Sequence, residues 1–253
     1  MPLPSFTKVY HHEPYPSIDP TRKELSARGK VVLIAGGGSG VGAASAAVFA
    51  KAGARAVAIL GRRKDSLMQT SEIVKESNPS TVVEIYSLDI VDEMKVASCF
   101  AHFVKTHGPI DICINSAAYL SDKATIRDGS VEDFWASFEI GIKGAFILAQ
   151  HFLRNCSRTG AVMVGVNSLI AHMPASQVDA APASYASNKI AAAKLYEYVA
   201  AENPHIRCYS IHPGVIETDM AKKSADMMPP GPNPFLPWDS GTSTSRLSCE
   251  RES

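Results

Sequence analysis

The feature that most restricts what this chain can fold into is a repeated alternation of two patterns. Short apolar runs rich in β-branched residues are each followed by a stretch with helical spacing. Lys30–Ala35 (KVVLIA) is the first such run; glycines bound it and it reads as a buried strand. Val41, Ala44, Val48, Phe49 and Ala52 then fall at helical spacing, with Gly53 as a C-cap. Arg55–Leu60, Val82–Leu88, Ile110–Ile114, Ala161–Val166 and Ile206–Ile211 read as five further strands. Between them Arg63–Ser77, Asp92–His107, Ser130–Cys156 and Ser184–Glu202 read as helices. Asp92 is a candidate cap, and Glu132 and Asp133 sit in the first turn of what reads as one long helix, Ser130–Cys156.

Regular strand–helix alternation predicts a single α/β domain. Its core is a Rossmann-like, doubly wound parallel sheet of about six strands with helices on both faces. That domain is expected over 29–226. Residues 1–28 read as an extended arm, because Pro2, Pro4, Pro14, Pro16 and Pro20 disfavour a helix interior. Residues 227–253 read as a disordered tail: prolines stand at 229, 230, 232, 234 and 237, and Leu247 is the one large aliphatic side chain from Ser240 onward.

Lysine plus arginine equals aspartate plus glutamate, 25 each, so electrostatics give no reason to expect a nucleic acid or an anionic membrane as partner. No apolar run approaches the roughly 18 residues of a membrane span, and the N-terminus lacks the apolar stretch of a secretory signal. The five cysteines form no CxxC pair, which favours neither a disulfide framework nor a zinc site and fits a reducing compartment. A cytoplasmic protein is expected.

Three local patterns carry chemistry. Gly36-Gly37-Gly38-Ser39-Gly40-Val41-Gly42 follows the first strand and opens the first helix. Free amides and the helix dipole attract phosphate there, and glycines let a pyrophosphate approach the backbone. The second strand ends in Leu60-Gly61-Arg62-Arg63, without the acid that would hold a ribose 2′-hydroxyl. An arginine there can pair with a 2′-phosphate, which favours NADP over NAD, although a solvated arginine pair is the plainer alternative. Tyr185 and Lys189 stand four apart on a helix and share a face. A nearby ammonium favours a phenolate, and a tyrosine so tuned is a workable acid/base for an alcohol–carbonyl pair. Alone, that spacing is a weak signal, and an ordinary surface helix pair is the better reading of it.

Taken together and in order, these residues resemble the short-chain dehydrogenase/reductase family over about 29–220. Ala35 to Gly42 is similar to its TGxxxGxG turn, Asp89-Ile90 to its adenine-contacting pair, and Asn115-Ser116-Ala117-Ala118 to its NNAG. Asn167-Ser168 ends strand five where the family carries a serine, Tyr185 and Lys189 match its YxxxK, and Pro213 to Thr218 resembles the segment holding the nicotinamide carboxamide. The wording is most like fungal members. The resemblance implies a hydride transfer between NADP(H) and a small carbonyl or alcohol substrate, with Ser168, Tyr185 and Lys189 catalytic. Gly36, Ser39, Gly40, Val41, Gly42, Arg62, Asp89, Asn115, Lys143, Tyr185, Lys189, Ile216 and Thr218 would bind the cofactor. It also implies no metal and a homo-oligomer. Thr218 reads equally as a helix N-cap.

The chain departs from that family at several points. Ala35 stands for the usual threonine, and Ser116 and Ala118 alter NNAG. Gly141-Ile142-Lys143-Gly144 occupies the family's N-x-K-G segment, so Gly141 cannot offer a side-chain amide to a proton-relay water. The 17 residues from Ser168 to Tyr185 exceed the usual spacing, and Met173–Pro182 is expected to loop over the site. Few residues follow Thr218, so a final strand is expected to be missing, with an exposed sheet edge and lower stability. A non-catalytic nucleotide-binding protein, or an inactive truncated one, is the alternative.

Overall fold

The computed structural model describes residues 14–177, 182–214 and 216–226. Expectations for residues 1–13, for 178–181 of the expected loop, for Val215 and for the 227–253 tail lie outside the described residues.

Six strands form one sheet in the order β3-β2-β1-β4-β5-β6. They are β1 (Val31–Ala35), β2 (Ala56–Gly61), β3 (Val82–Ser87), β4 (Ile112–Asn115), β5 (Val162–Val166) and β6 (Arg207–Ile211), and every pairing is parallel. The chain winds outward from β1 in one direction to β3, then returns past it to β4 and winds the other way. β1 and β4 therefore flank the point where the topology reverses, and a crevice opens there at the carboxyl ends of the strands. The register Ala35↔Leu60 and Ala35↔Asn115 brings the ends of β2 and β4 level with the start of the glycine turn.

Alternation along the strands sorts the core into two layers. Val31, Leu33 and Ala35 of β1 point to one side, with Phe100, Phe103, Leu148, Phe152 and Met163. Val32 and Ile34 point to the other, with Ala46, Ala50, Leu67 and Val74. Helices α1 (Gly40–Lys51) and α2 (Lys64–Ser77) cover the second layer. The first is covered by α3 (Glu93–His107), α5 (Ala145–Asn155) and α6 (Ala183–Glu202). Each β1 side chain is essentially sealed from water, as a strand with helices on both faces must be. Gly53 adopts φ 89° just beyond α1, and Asp92 caps α3 by accepting from the Lys95 amide at 3.1 Å, both as the sequence predicts.

The expected single helix over Ser130–Cys156 is corrected in its middle. Ser130 caps α4 (Val131–Phe138) by accepting from the Asp133 amide at 3.2 Å, and α5 ends at Asn155. Between them Glu139–Gly144 winds as a π-helical segment. Its two glycines are pressed against neighbours. A β-carbon on Gly144 would stand 2.5 Å from Ile90 Cδ1, and one on Gly141 would collide with the Asn188 carboxamide. A wider turn is a common way for a helix to absorb such contacts, frequently beside a functional site. The last helix, α7 (Asp219–Asp226), follows β6, and Thr218 caps it by accepting from the Ala221 amide at 3.1 Å. Among the described residues no helix is long and apolar enough to cross a membrane.

Candidate active site

The glycine turn is built for close approach. Gly36 has φ 75°, and a β-carbon there would stand 2.7 Å from the Ala117 amide nitrogen, so only glycine joins β1 to the turn while β4 passes behind it. A β-carbon on Gly42 would run into the Gly36 carbonyl oxygen, so α1 packs directly on the turn that feeds it. Ser39 is the N-cap of α1, but its hydroxyl caps no amide of the helix; it accepts instead from Arg63 Nη2 at 3.2 Å. The first-turn amides of α1, Val41 among them, thus have no capping side chain, the arrangement that receives a phosphate. This cradle fits a dinucleotide pyrophosphate.

Several of the sequence-predicted residues gather around the turn. The Thr218 methyl lies 2.9 Å from where a β-carbon on Gly40 would stand, so the segment carrying Ile216 and Thr218 closes one side. Asn115 ends β4 and is buried; it donates to the Tyr196 hydroxyl at 3.0 Å and accepts from the Ala117 amide at 3.2 Å, which shapes the strand end behind Gly36. Asp89 follows β3, accepts from the Val91 amide at 3.2 Å, and faces Arg62 at 4.0 Å. Arg63 is the cation that reaches the turn itself, through Ser39, and it also faces Asp219 at 3.8 Å. The sequence points to Arg62 for this place, whereas its neighbour in the Arg-Arg pair is the one that reaches the turn. Lys143 is not gathered in: its ammonium faces Glu139 at 3.8 Å on the π-helical segment and its side chain is half exposed.

The second group sits where α6 packs on the end of β5. Tyr185 and Lys189 occupy successive turns of α6, and the Lys189 ammonium stands 5.4 Å from the centre of the Tyr185 ring. The same ammonium donates to the Val166 carbonyl at 2.9 Å, two residues before Ser168. Asn167 fastens the two elements further, donating to the Lys189 carbonyl at 3.0 Å and to the Ser210 hydroxyl at 2.9 Å. Ser168 is buried at the strand end, where its hydroxyl accepts from the Ile170 amide at 3.3 Å, and the short helical turn it starts, Leu169–His172, packs on α6.

Burial dominates the electrostatics of this group. It pushes the Tyr185 phenol up to about 12 and the Lys189 ammonium down to about 8. The sequence reading expected the ammonium to lower the phenol. Instead the phenol is raised and burial is the cause, since desolvation disfavours both charged forms, while the ammonium is held by a backbone carbonyl.

Comparison with known proteins agrees with this geometry. A family model described as short chain dehydrogenase matches residues 30–229. The chain belongs to the short-chain dehydrogenase family. Relatives include the short chain dehydrogenase mpl6 of Monascus purpureus, 26% identical over 217 residues, covering 83% of this chain and 72% of the relative. The short chain dehydrogenase tazN of Aspergillus terreus is 30% identical over 221 residues, covering 85% of this chain and 46% of the relative. Among solved structures, a short-chain type dehydrogenase/reductase from Mycobacterium ulcerans superposes with a TM-score of 0.72 at 26% identity, covering 78% of this chain and 71% of that one. An NAD+-bound xylitol dehydrogenase superposes with a TM-score of 0.71 at 25% identity, covering 79% of this chain and 76% of that one. The short-chain dehydrogenase fold and its oxidoreductase family are thereby fixed for this chain.

Proposed function

We propose that this short-chain dehydrogenase interconverts a small carbonyl compound and its alcohol with NADP(H), using Tyr185 as acid/base, Ser168 as substrate-oxygen donor and Lys189 to hold the cofactor ribose. The observation that carries the reading is the α6 pair, an ammonium 5.4 Å from the centre of a tyrosine ring, beside the strand end that presents Ser168. Gly36, Ser39, Gly40, Val41 and Gly42 would take the pyrophosphate, Asp89 the adenine side, and Asn115, Ile216 and Thr218 the nicotinamide side. The bound cofactor supplies or accepts the hydride, while the protein provides orientation and electrostatics.

A phenol pushed up to about 12 is protonated at neutral pH, so Tyr185 is ready to donate to an oxygen that gains negative charge. Ser168 adds a hydrogen bond to the same oxygen as the charge develops. Both features favour reduction of a carbonyl at neutral pH. In the reverse direction Tyr185 must first lose its proton, so alcohol oxidation rises as the medium becomes alkaline.

The choice of NADP rests on charge. β2 ends at Gly61 with Arg62 and Arg63 following, and the Arg63 guanidinium reaches the turn through Ser39 while Arg62 faces Asp89. Arginine pairs with phosphate by charge-assisted, often bidentate hydrogen bonds. Titration calorimetry is expected to give tighter binding for NADP than for NAD, and Arg63→Ala should cut that preference by about tenfold or more. Equal affinity for the two nucleotides would remove the assignment.

Consumption of NADPH against a panel of carbonyl compounds tests the reaction. Tyr185→Phe is expected to abolish turnover while leaving NADPH affinity nearly intact. Undiminished turnover in that variant would exclude Tyr185 as the acid. A nucleotide-binding protein without turnover is the second reading; it is favoured by the commitment of Lys189 to Val166 and by the missing side chain at Gly141, and a turnover-free panel with intact NADPH binding would establish it.

A further inference from the structure

The π-helical segment and α6 meet at one point where the first carries no side chain and the second carries a carboxamide. Gly141 has an ordinary backbone conformation, so its lack of a side chain is a matter of space: a β-carbon there would stand 2.8 Å from Asn188 Cγ and collide with Asn188 Oδ1. The volume that a residue at 141 would use is filled by the Asn188 carboxamide.

That carboxamide is fixed from both sides. Its Nδ2 donates to the Ser137 hydroxyl of α4 and, at 3.1 Å, to the Ser184 carbonyl one turn back on α6. The Ser137 hydroxyl in turn donates to the Tyr119 carbonyl at 3.3 Å, and the Ser184 and Ser121 hydroxyls contact each other. Ser121, Ser137, Ser184 and Asn188 are each 2% exposed or less. A buried chain of hydrogen-bonded side chains of this kind stiffens the elements it joins. It joins α4 and the loop after β4 to the turn of α6 that carries Tyr185 and Lys189, and Asn188 is the covalent neighbour of Lys189.

We propose that Asn188 is a positioning residue for the reaction above: from within α6 its carboxamide fills the space left by Gly141 and fixes the helical turn bearing Lys189 and Tyr185 against the π-helical segment. Residues 141 and 188 are a reciprocal pair, in which a carboxamide on one requires a small residue at the other. The inference rests on the proposed reduction, in which Lys189 and Tyr185 act together.

A four-member cycle tests it: the wild-type chain, Asn188→Ser, Gly141→Asn and the double variant, each assayed for NADPH-dependent turnover across pH. Asn188→Ser should lower kcat about tenfold with little change in KM and move the alkaline limb of the kcat–pH profile, because the groups it steadies are those that titrate. Gly141→Asn alone should lose activity through collision, and the double variant should return to within about threefold of the wild type, since the carboxamide is then supplied from the other helix. Should Gly141→Asn fail to fold, Asn188→Ser, which puts a smaller side chain in that space, still decides the matter through its pH profile. A wild-type profile for Asn188→Ser, or a soluble double variant no better than soluble Gly141→Asn, would overturn the inference while leaving the reductase reading in place. Absence of turnover in the wild type would remove both together.

Discussion

Lys189 titrates near 8 because its surroundings penalise the charged form, and this sets a pH dependence that belongs to one side chain. In the cofactor-free protein the ammonium is present below about pH 8 and is lost above it. On the proposed role of Lys189 in holding the cofactor, the dissociation constant of NADPH should rise as pH passes about 8, and Lys189→Met should bind more weakly with that dependence removed. Fluorescence titration between pH 6 and pH 10 checks both statements. The stability sign runs the other way: the unfolded chain holds the proton to higher pH than the folded one, so deprotonation between about 8 and the ordinary lysine value relieves a burial cost. The placement of Tyr185 and Lys189 on successive helical turns, and of Ser168 at a strand end, was legible in the sequence because such local spacings survive translation into space. Arg63 at Ser39, the Val166 carbonyl on Lys189 and the Asn188 carboxamide against Gly141 were not, since each depends on which faces two distant elements turn to one another.

Elements tell the same story with exceptions, among them short helical turns at Pro16–Ile18 and Lys23–Leu25 where the sequence predicts an extended arm. Strand and helix bounds follow from apolar period, caps and glycines to within a residue or two, because each is a local property. The π-helical segment Glu139–Gly144 is not local: Ile90 and Asn188, from β3's exit and from α6, press on Gly144 and Gly141. Gly144→Ala illustrates the balance. Alanine gains about 0.5–1 kcal/mol from helix propensity, whereas forcing a methyl to within 2.5 Å of Ile90 Cδ1 costs about 1–3 kcal/mol by overpacking. The variant should therefore be the less stable by thermal denaturation, and the same change on an Ile90→Ala background, which removes both Cδ1 and the Cγ1 atom 2.6 Å away, should cost less. A Gly144→Ala chain melting above the wild type would show that the segment yields freely.

At the scale of the molecule, the parallel α/β architecture could be read from alternation, but the strand order β3-β2-β1-β4-β5-β6 depends on which edges meet and is set by packing. Acid should weaken this assembly through the β3–α3 contact. Burial alone would raise Glu84, yet hydrogen bonds from Tyr86 and from His107, the latter at 2.6 Å, hold its carboxyl below the usual glutamate value. A depressed carboxylate stabilises the fold above the ordinary carboxylate range, and that contribution is lost as pH falls through its folded pKa. Melting temperature should drop on acidification, and Glu84→Gln should flatten the acid limb; an unaltered limb would assign acid sensitivity elsewhere. Nucleotide acts on the whole domain too, because the cradle lies between the two halves of the sheet: NADPH at a hundred times its dissociation constant should add about 2.7 kcal/mol of stability by mass action.

Because β1 lies in the middle of the sheet, its two neighbours reach it at very different times during synthesis. Leu60 pairs with Ala35 after 25 further residues, but Asn115 does so only after 80. At about 5–20 residues per second the ribosome needs roughly 4–16 s to deliver that second partner. For those seconds the nascent chain carries a bare central edge, and the nucleotide cleft has only one of its walls.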